Sequence, residues 1–343
     1  MAHLVSSIWA RKWLKRRPKF VGVTSIFEDA GLLAFWSLCG WLSPERASRF
    51  GAAVLAAVGP HTSKQEKLID NLTVAFPEIS DAERERIAKG IWRGMGASAG
   101  EYPHLGAFGV KAEEAGIGIV AAIPPHLEPN FKGERPTVFA TGHLANWEVL
   151  AAAPRLWDVD LAVVYAPIGD GAADKRLRFY REQMGSRLLP RDSSAKALLR
   201  HLRSGRPIGI VADHRVDEGE ELPFFGKTKA TTLSPARLAL KTGADLVAMR
   251  VERLGPARFK ISAAGPLLPP PGVIDETAQV RAMMTAFNAH LEQWIRERPE
   301  DWMCGKRSFT KAEFRPFRRR RKGLPPLEPD ASPDTGADLR NAS

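Results

Sequence analysis

A histidine and a glutamate stand five residues apart in Thr141-Gly142-His143-Leu144-Ala145-Asn146-Trp147-Glu148. An imidazole titrates near neutrality and can take a proton from a hydroxyl there. A carboxylate beside it would fix its tautomer and balance the imidazolium that forms. The pair therefore suits activation of an alcohol for attack on an acyl group. The competing reading is a surface histidine followed by an unrelated helix-start glutamate, since a lone pair at this spacing recurs by chance.

Such chemistry needs elements that hold the two side chains together. An apolar, strand-like run, Pro136-Thr137-Val138-Phe139-Ala140, precedes the motif, and an alanine-rich helix is predicted over 146–157. Gly142 suits the sharp corner between them. Five residues along one helix separate two side chains by about 140°. The spacing thus predicts His143 in the turn, with Glu148 on the first helical turns reaching back to it. The free N–H groups of a helix start would lie beside a developing oxyanion.

Similar units recur downstream. Strands are predicted over 138–141, 161–165, 187–189, 208–212, 246–251 and 259–262, and helices over 146–157, 172–184, 193–203 and 234–242. Gly205 and Gly243 stand where helix C-caps are expected. Upstream, 64–108 is predicted helical, with Ser80 and Glu83 forming a capping box. Alternation of this kind predicts an α/β fold, a mostly parallel central sheet flanked by helices. Ligands of such sheets bind beyond the C-terminal strand ends. His143 and Asp213 each follow a predicted strand, so both are expected in that crevice. The sequence contains no G-x-G-x-x-G after a strand, no Walker A pattern and no G-x-S-x-G elbow.

Charge is unevenly spread over the 343 residues, whose net charge is +11. No acid occurs in the first 27 residues, while six bases lie between Arg11 and Lys19. A second basic block runs from Lys306 to Lys322. Both blocks fit anionic lipid headgroups or nucleic acid; a solvated tail is the plain alternative. Between them, 30–44 carries no charge and holds Trp36 and Trp41, and a second apolar stretch covers 50–58. These runs are shorter than the ~20 apolar residues of a spanning helix. They predict a helix pair lying in a bilayer interface or a buried helical hairpin. A secretory signal is not expected. Two cysteines and eight scattered histidines give neither a disulfide framework nor a metal-ligand spacing, so no metal site is expected. After Gly323, Pro, Asp, Ser and Gly predominate and predict disorder.

Several segments, in order, resemble the lipid A biosynthesis lauroyl (late) acyltransferases, within the wider lysophospholipid acyltransferase superfamily. Residues 71–78, NLTVAFPE, resemble that family's "NL..AFPE", and 142–148 resemble its "GH.GNWE". Ala212-Asp213-His214 is similar to its "PDQ" or "PDH" turn, Pro223-Phe224-Phe225-Gly226 to "PFFG", Ser234-Pro235-Ala236-Arg237-Leu238-Ala239 to the next helix, and Pro299-Glu300-Asp301-Trp302 to "PE.W". The similarity runs from about residue 26 to residue 314. Two positions depart from it. Tyr165-Ala166-Pro167 stands in place of "YRP", and 303–309 lacks the histidine of "WLHRRWK".

The resemblance implies a membrane-associated O-acyltransferase at the cytoplasmic face of a bacterial inner membrane. It implies an acyl carrier protein thioester as donor, a hydroxyl of a lipid A precursor as acceptor, and no cofactor. His143 would be the general base and Glu148 its orienting partner. Arg191 is expected to bind a precursor phosphate, or to pair with Asp192 or Asp217. Asp213 is expected to hold an arginine or a sugar hydroxyl, or to cap its turn. Asn146 and Arg181 are expected at the substrate. With Lys175, Arg176 and Arg178, Arg181 forms a basic helix for an acidic carrier or lipid phosphates, or a solvated face. Phe224 and Phe225 would touch the acyl chain or pack in the core. The domain limits expected are 1–62 for the basic, apolar N-terminus, 63–317 for the acyltransferase unit and 318–343 for a basic, then disordered tail. The Ala166 departure leaves another glycolipid, a lysophospholipid or an aminolipid open as acceptor, and acyl-CoA open as donor. A non-enzymatic lipid- or nucleic-acid-binding protein is the remaining class. Nucleic acid is not expected, because the bases are not interleaved with stacking aromatics in a known module.

Overall fold

Every second residue of the central strands faces the same side, and both sides are apolar. Val138 and Ala140 join one core, Phe139 the other; Leu246 and Ala248 face the first, Val247 and Met249 the second. A sheet of this pattern must be covered on both faces, and it is. The structure, a computed structural model, describes residues 18–108, 118–169, 171–191, 195–321 and 323, with side chains from residue 29 and excluding that of residue 155. The basic run at Arg11–Lys19 falls almost wholly outside the described residues, as does the tail predicted to be disordered.

The sheet forms from β1 (Gly118–Ala122), β2 (Thr137–Thr141), β3 (Ala162–Tyr165), β4 (Arg187–Pro190), β5 (Ile208–Val211), β6 (Asp245–Gly255) and β7 (Arg258–Ala264). Their spatial order is β1-β7-β6-β2-β5-β3-β4. The run β6-β2-β5-β3-β4 is parallel, whereas β6 and β7 pair antiparallel. The expected mostly parallel sheet is therefore present, with β1 added at one edge. A separate hairpin, Glu220–Phe224 with Lys227–Thr231, lies between β5 and β6 in sequence. Its turn residues, Phe225 and Gly226, have φ of 54° and 66°, the positive pair that a tight hairpin turn demands. Phe225 is held there by Phe76, Phe224 and Trp302, with ring centroids at 5.3, 4.8 and 5.9 Å. Both Phe224 and Phe225 are buried in the core.

The N-terminal helices are α1 (Pro18–Trp41), α2 (Pro44–Val58), α3 (Ser63–Ala75) and α4 (Asp81–Glu101). The Ser80 hydroxyl accepts from the Glu83 N–H at 3.1 Å, the predicted cap of α4. Among the described residues, no helix is long and apolar enough to cross a membrane. The helix pair instead divides its apolar surface. Trp36 is buried and donates its indole N–H to the Ala99 carbonyl, while Leu38 and Trp41 are exposed, Trp41 to 87%. Backbones of α2 and α4 touch through glycines. A Cβ on Gly51 would lie 2.1 Å from the Gly96 carbonyl oxygen, and one on Gly100 2.2 Å from that of Ala47.

The C-terminal helix α5 (Lys311–Arg321) crosses the domain limit expected at 317/318. Its Arg318 and Arg321 grip the buried carboxylate of Asp70 on α3, Arg318 Nε at 2.7 Å. These arginines therefore belong to the folded unit. Their partner lies 248 and 251 residues away, beyond the reach of any local pattern.

The glycine contacts generate a test. Gly51→Ala is expected to cost about 1–3 kcal/mol of stability, as forced overpacking does. A lower denaturant midpoint at unchanged m would record it. Gly31→Ala in α1, where a Cβ meets nothing within 4 Å, is expected to be neutral or mildly stabilising.

Candidate active site

Strands β2 and β5 are parallel neighbours with Thr141 opposite Val211. His143 and Asp213 each lie two residues beyond that pair, so the chain leaves both strands with these side chains level. The His143 N–H donates to Asp213 Oδ2 at 2.9 Å, and His143 Nδ1 lies 2.6 Å from Oδ1. A carboxylate only accepts, so Nδ1 carries the hydrogen, and in the neutral form of the ring Nε2 keeps its lone pair. Burial alone would raise the Asp213 carboxyl. The charge of His143 and its hydrogen bonds outweigh this and hold Asp213 well below the usual carboxylate range.

Gly142 is required here for space rather than for a positive φ. A Cβ on it would lie 2.7 Å from Leu291 Cδ1 and 3.2 Å from Asp213 Cβ. The left-handed residue of the loop is Ala145, with φ 47°, where the resembled motif has glycine. Its N–H donates to the Asp301 carbonyl at 2.8 Å, and the His143 carbonyl accepts from the Met303 N–H at 2.9 Å. Leu144 and Trp302 form a β-bridge. Residues 301–303 thus run alongside the loop as a short antiparallel strap. Asn71 fastens the far end of the strap: its amide donates to the carbonyls of Cys304 and Lys306, and its Oδ1 accepts from the Ser308 N–H. The two terminal signatures of the sequence are two halves of one clasp.

Glu148 does not orient His143. Residues Trp147–Ala152 wind as a 3-10 helix, not the α-helix predicted, and this turns Glu148 into a buried layer. There its Oε1 accepts from the Tyr102 hydroxyl at 3.1 Å and from Arg181 Nη2, and its Oε2 from Arg181 Nε at 2.9 Å. The orienting role expected of Glu148 falls to Asp213, which in turn holds His143 rather than an arginine or a sugar. Arg181 lies on the helix Ala172–Glu182, whose inner face packs under the motif, and its guanidinium is spent on Glu148. Lys175, Arg176, Arg178 and Phe179 occupy the exposed face of that helix.

Asn146 is likewise turned inward. It is buried, donating to Glu101 Oε2 at 2.8 Å. Glu101, fully buried, collects Ser48 of α2, both terminal nitrogens of Arg253 and the Ala257 N–H as well. Arg191 is exposed, one residue past β4. Three strand spacings separate β4 from β2, about 14 Å, so Arg191 shares the site's edge without joining His143. Asp192 lies outside the described residues, and Asp217 pairs with Arg215.

The ring of His214, for which the sequence analysis names no role, stacks on that of His143, centroids 3.8 Å apart and planes at 22°. Trp147 meets His143 edge-on at 4.5 Å. Burial, then the His143 charge, with Lys306 and Lys229 adding to it, pushes His214 down to about 3 against the pull of Asp213. His214 is thus a neutral plate against the His143 ring. Its place after a strand, beside Asp213, was the available signal. The fold also gathers ligand atoms of His143, Asp213 and His214 within 4.8 Å of one another, a set able to hold a metal ion although the scattered histidines gave no such spacing. Here both Asp213 oxygens are taken by His143. The whole arrangement can orient one imidazole, supply its counter-charge and leave Nε2 free as a base.

The chain was compared with known proteins. The family model for bacterial lipid A biosynthesis acyltransferases matches residues 17–311. A phosphatidylinositol mannoside acyltransferase of Mycobacterium tuberculosis is 28% identical over 131 residues, 36% of this chain and 40% of that protein. The same enzyme of Mycolicibacterium smegmatis is 28% identical over 130 residues, 35% and 41% of the two chains. The chain thus spans about 40% of the length of these curated relatives. A solved structure, the 1-acyl-sn-glycerophosphate (LPA) acyltransferase PlsC from Thermotoga maritima, aligns at 14% identity over 67% of this chain and 97% of that one, with a TM-score of 0.35. With most of its length matched by the family model, this chain belongs to the bacterial lipid A biosynthesis acyltransferase family.

Proposed function

We propose that this protein transfers a fatty acyl chain from a thioester donor to a hydroxyl of a glycolipid of the lipid A precursor type. The observation that carries the reading is the hydrogen-bonded His143–Asp213 pair at the C-terminal strand ends, in a chain of this family. His143 Nε2 takes the hydroxyl proton, and the oxygen attacks the thioester carbonyl. Asp213 balances the imidazolium that forms. As the tetrahedral intermediate collapses, the C–S bond breaks and the imidazolium returns its proton to the departing thiolate. The thioester is already activated, so the steps need only a base and its positioning. The donor in this reading is an acyl carrier protein, a partner suited to the exposed bases Lys175, Arg176 and Arg178. The exposed Leu38 and Trp41 support docking of α1 and α2 in a membrane interface, at the cytoplasmic face of the inner membrane. In the same reading, 1–62 is the membrane-associating part and 63–317 the acyltransferase unit, with α5 fastened to it.

A second reading keeps the chemistry and changes the acceptor to a mannose-bearing lipid. The curated relatives that match are named for such an acceptor. Ala166, at the end of β3 beside β5, also stands where the usual arginine would be.

Purified protein incubated with a panel of acyl carrier protein thioesters and acyl-CoAs, a lipid A precursor and a phosphatidylinositol mannoside should yield one acylated lipid by mass spectrometry. His143→Ala and Asp213→Asn are expected to lower turnover by about 10³-fold or more while the protein stays folded; normal turnover in His143→Ala would refute the mechanism. A pH dependence also follows. Asp213 is depressed in the folded state, so its stabilisation is complete above the unfolded carboxylate range near pH ~4 and is lost as pH falls below it. Asp213→Asn should therefore show a smaller drop in melting temperature between pH 5 and pH 2, followed by circular dichroism.

A further inference from the structure

The hairpin beside the site carries a buried cation. Lys229 is fully buried, yet its ammonium has no carboxylate partner in hydrogen-bond reach among the described residues. Its Nζ lies 4.0 Å from the centroid of the Phe224 ring and donates to the main-chain carbonyl of Asp213 at 3.3 Å. A buried lysine without an ion pair is expensive, and an unbranched methionine, one atom shorter, would fill most of the space without a charge. The hairpin that delivers Lys229 is itself pinned. Asn288, on the helix Glu276–Glu297, donates to the Pro223 carbonyl at 3.2 Å and to the Thr231 hydroxyl at 3.1 Å.

We propose that Lys229 is a positioning residue for the base pair of the site, its ammonium anchoring the peptide of Asp213 and adding positive charge beside the two stacked imidazoles. The inference rests on the reaction proposed above. Two consequences follow from the contacts. The carbonyl bond fixes the residue whose carboxylate binds both the N–H and the ring of His143. The cation also opposes a second positive charge on the adjoining imidazoles, which favours the form of the site that can accept a proton.

The surroundings agree with a cation held for its charge. Burial pushes the Lys229 ammonium down to about 8, and Asp213 pulls it back up; it is therefore mostly charged at pH 7. Other titratable or charged groups on the elements packed around it are the neutral His214 beyond β5, Lys306 after the strap, and Glu292 and Arg296 on the helix Glu276–Glu297. Lys306 adds to the effect of Lys229 on His214. Glu292 is occupied by the Phe225 N–H and by Arg296, so it does not neutralise Lys229.

The test compares Lys229→Met, which keeps an unbranched side chain of similar size and loses the charge, with Lys229→Arg, which keeps the charge. For Lys229→Met the melting temperature should be unchanged or higher, since an apolar isostere replaces a buried charge. Amide exchange of residues 142–146 should nevertheless accelerate about tenfold. Turnover should fall at least tenfold with the acceptor KM within twofold. The acid limb of the kcat/KM profile should move up by about half a pH unit or more. Lys229→Arg should keep the acid limb of the parent. A Lys229→Met protein with parental exchange and acid limb would overturn the inference. So would loss of folding in both variants, which would make Lys229 a structural residue. Exchange and melting need no substrate, so absence of acyl transfer in the parent protein would count against the proposed reaction alone.

Discussion

One carboxylate holds the site together. Asp213 spends one oxygen on the main-chain N–H of His143 and the other on its ring. Backbone position and tautomer are thereby set by a single residue. Its own burial is unfavourable, and a buried charge is stable only when paired and hydrogen-bonded. The neighbourhood reflects that demand. Gly142 leaves room for the Asp213 side chain, His214 covers the imidazole, and Lys229 holds the Asp213 carbonyl.

A second, separate knot shapes the motif loop from below. Glu148 with Arg181 and Tyr102, and Asn146 with Glu101, tie the loop to helices on the other face of the sheet. The conspicuous polar residues of the motif after His143 are thus buried supports. Through Glu101 and Ser48 the same knot extends to α2, so the apolar N-terminal hairpin and the motif loop at Asn146 share one network.

What could be read from the sequence was what local patterns encode. The strand before Gly142, the cap at Ser80, the left-handed Gly243 and the placement of His143 and Asp213 at strand ends all depend on a few adjacent residues. The partner of His143 was not legible in this way. Asp213 is 70 residues away, and only the β2–β5 register makes the two level. Five-residue spacing suggested Glu148 instead, because a local pair is the one a sequence displays. The grip of Arg318 and Arg321 on Asp70, and of Asn71 on the strap, escaped for the same reason. The separate hairpin was read only as a "PFFG" loop, since its short strands carry no alternation that stands out.

The strap over the His143 loop has a bearing on time. Its hydrogen bonds join His143 and Ala145 to 301–303, and Asn71 to Ser308 across 237 residues. Contacts of such separation must wait for large loops to close, and their loop entropy is lost before they reward it. The α2–α4 strut and the capped helices can form early. The loop around His143 gains its last constraints only when the strap docks. A folding chain would therefore fix the backbone around His143 among the last of its contacts.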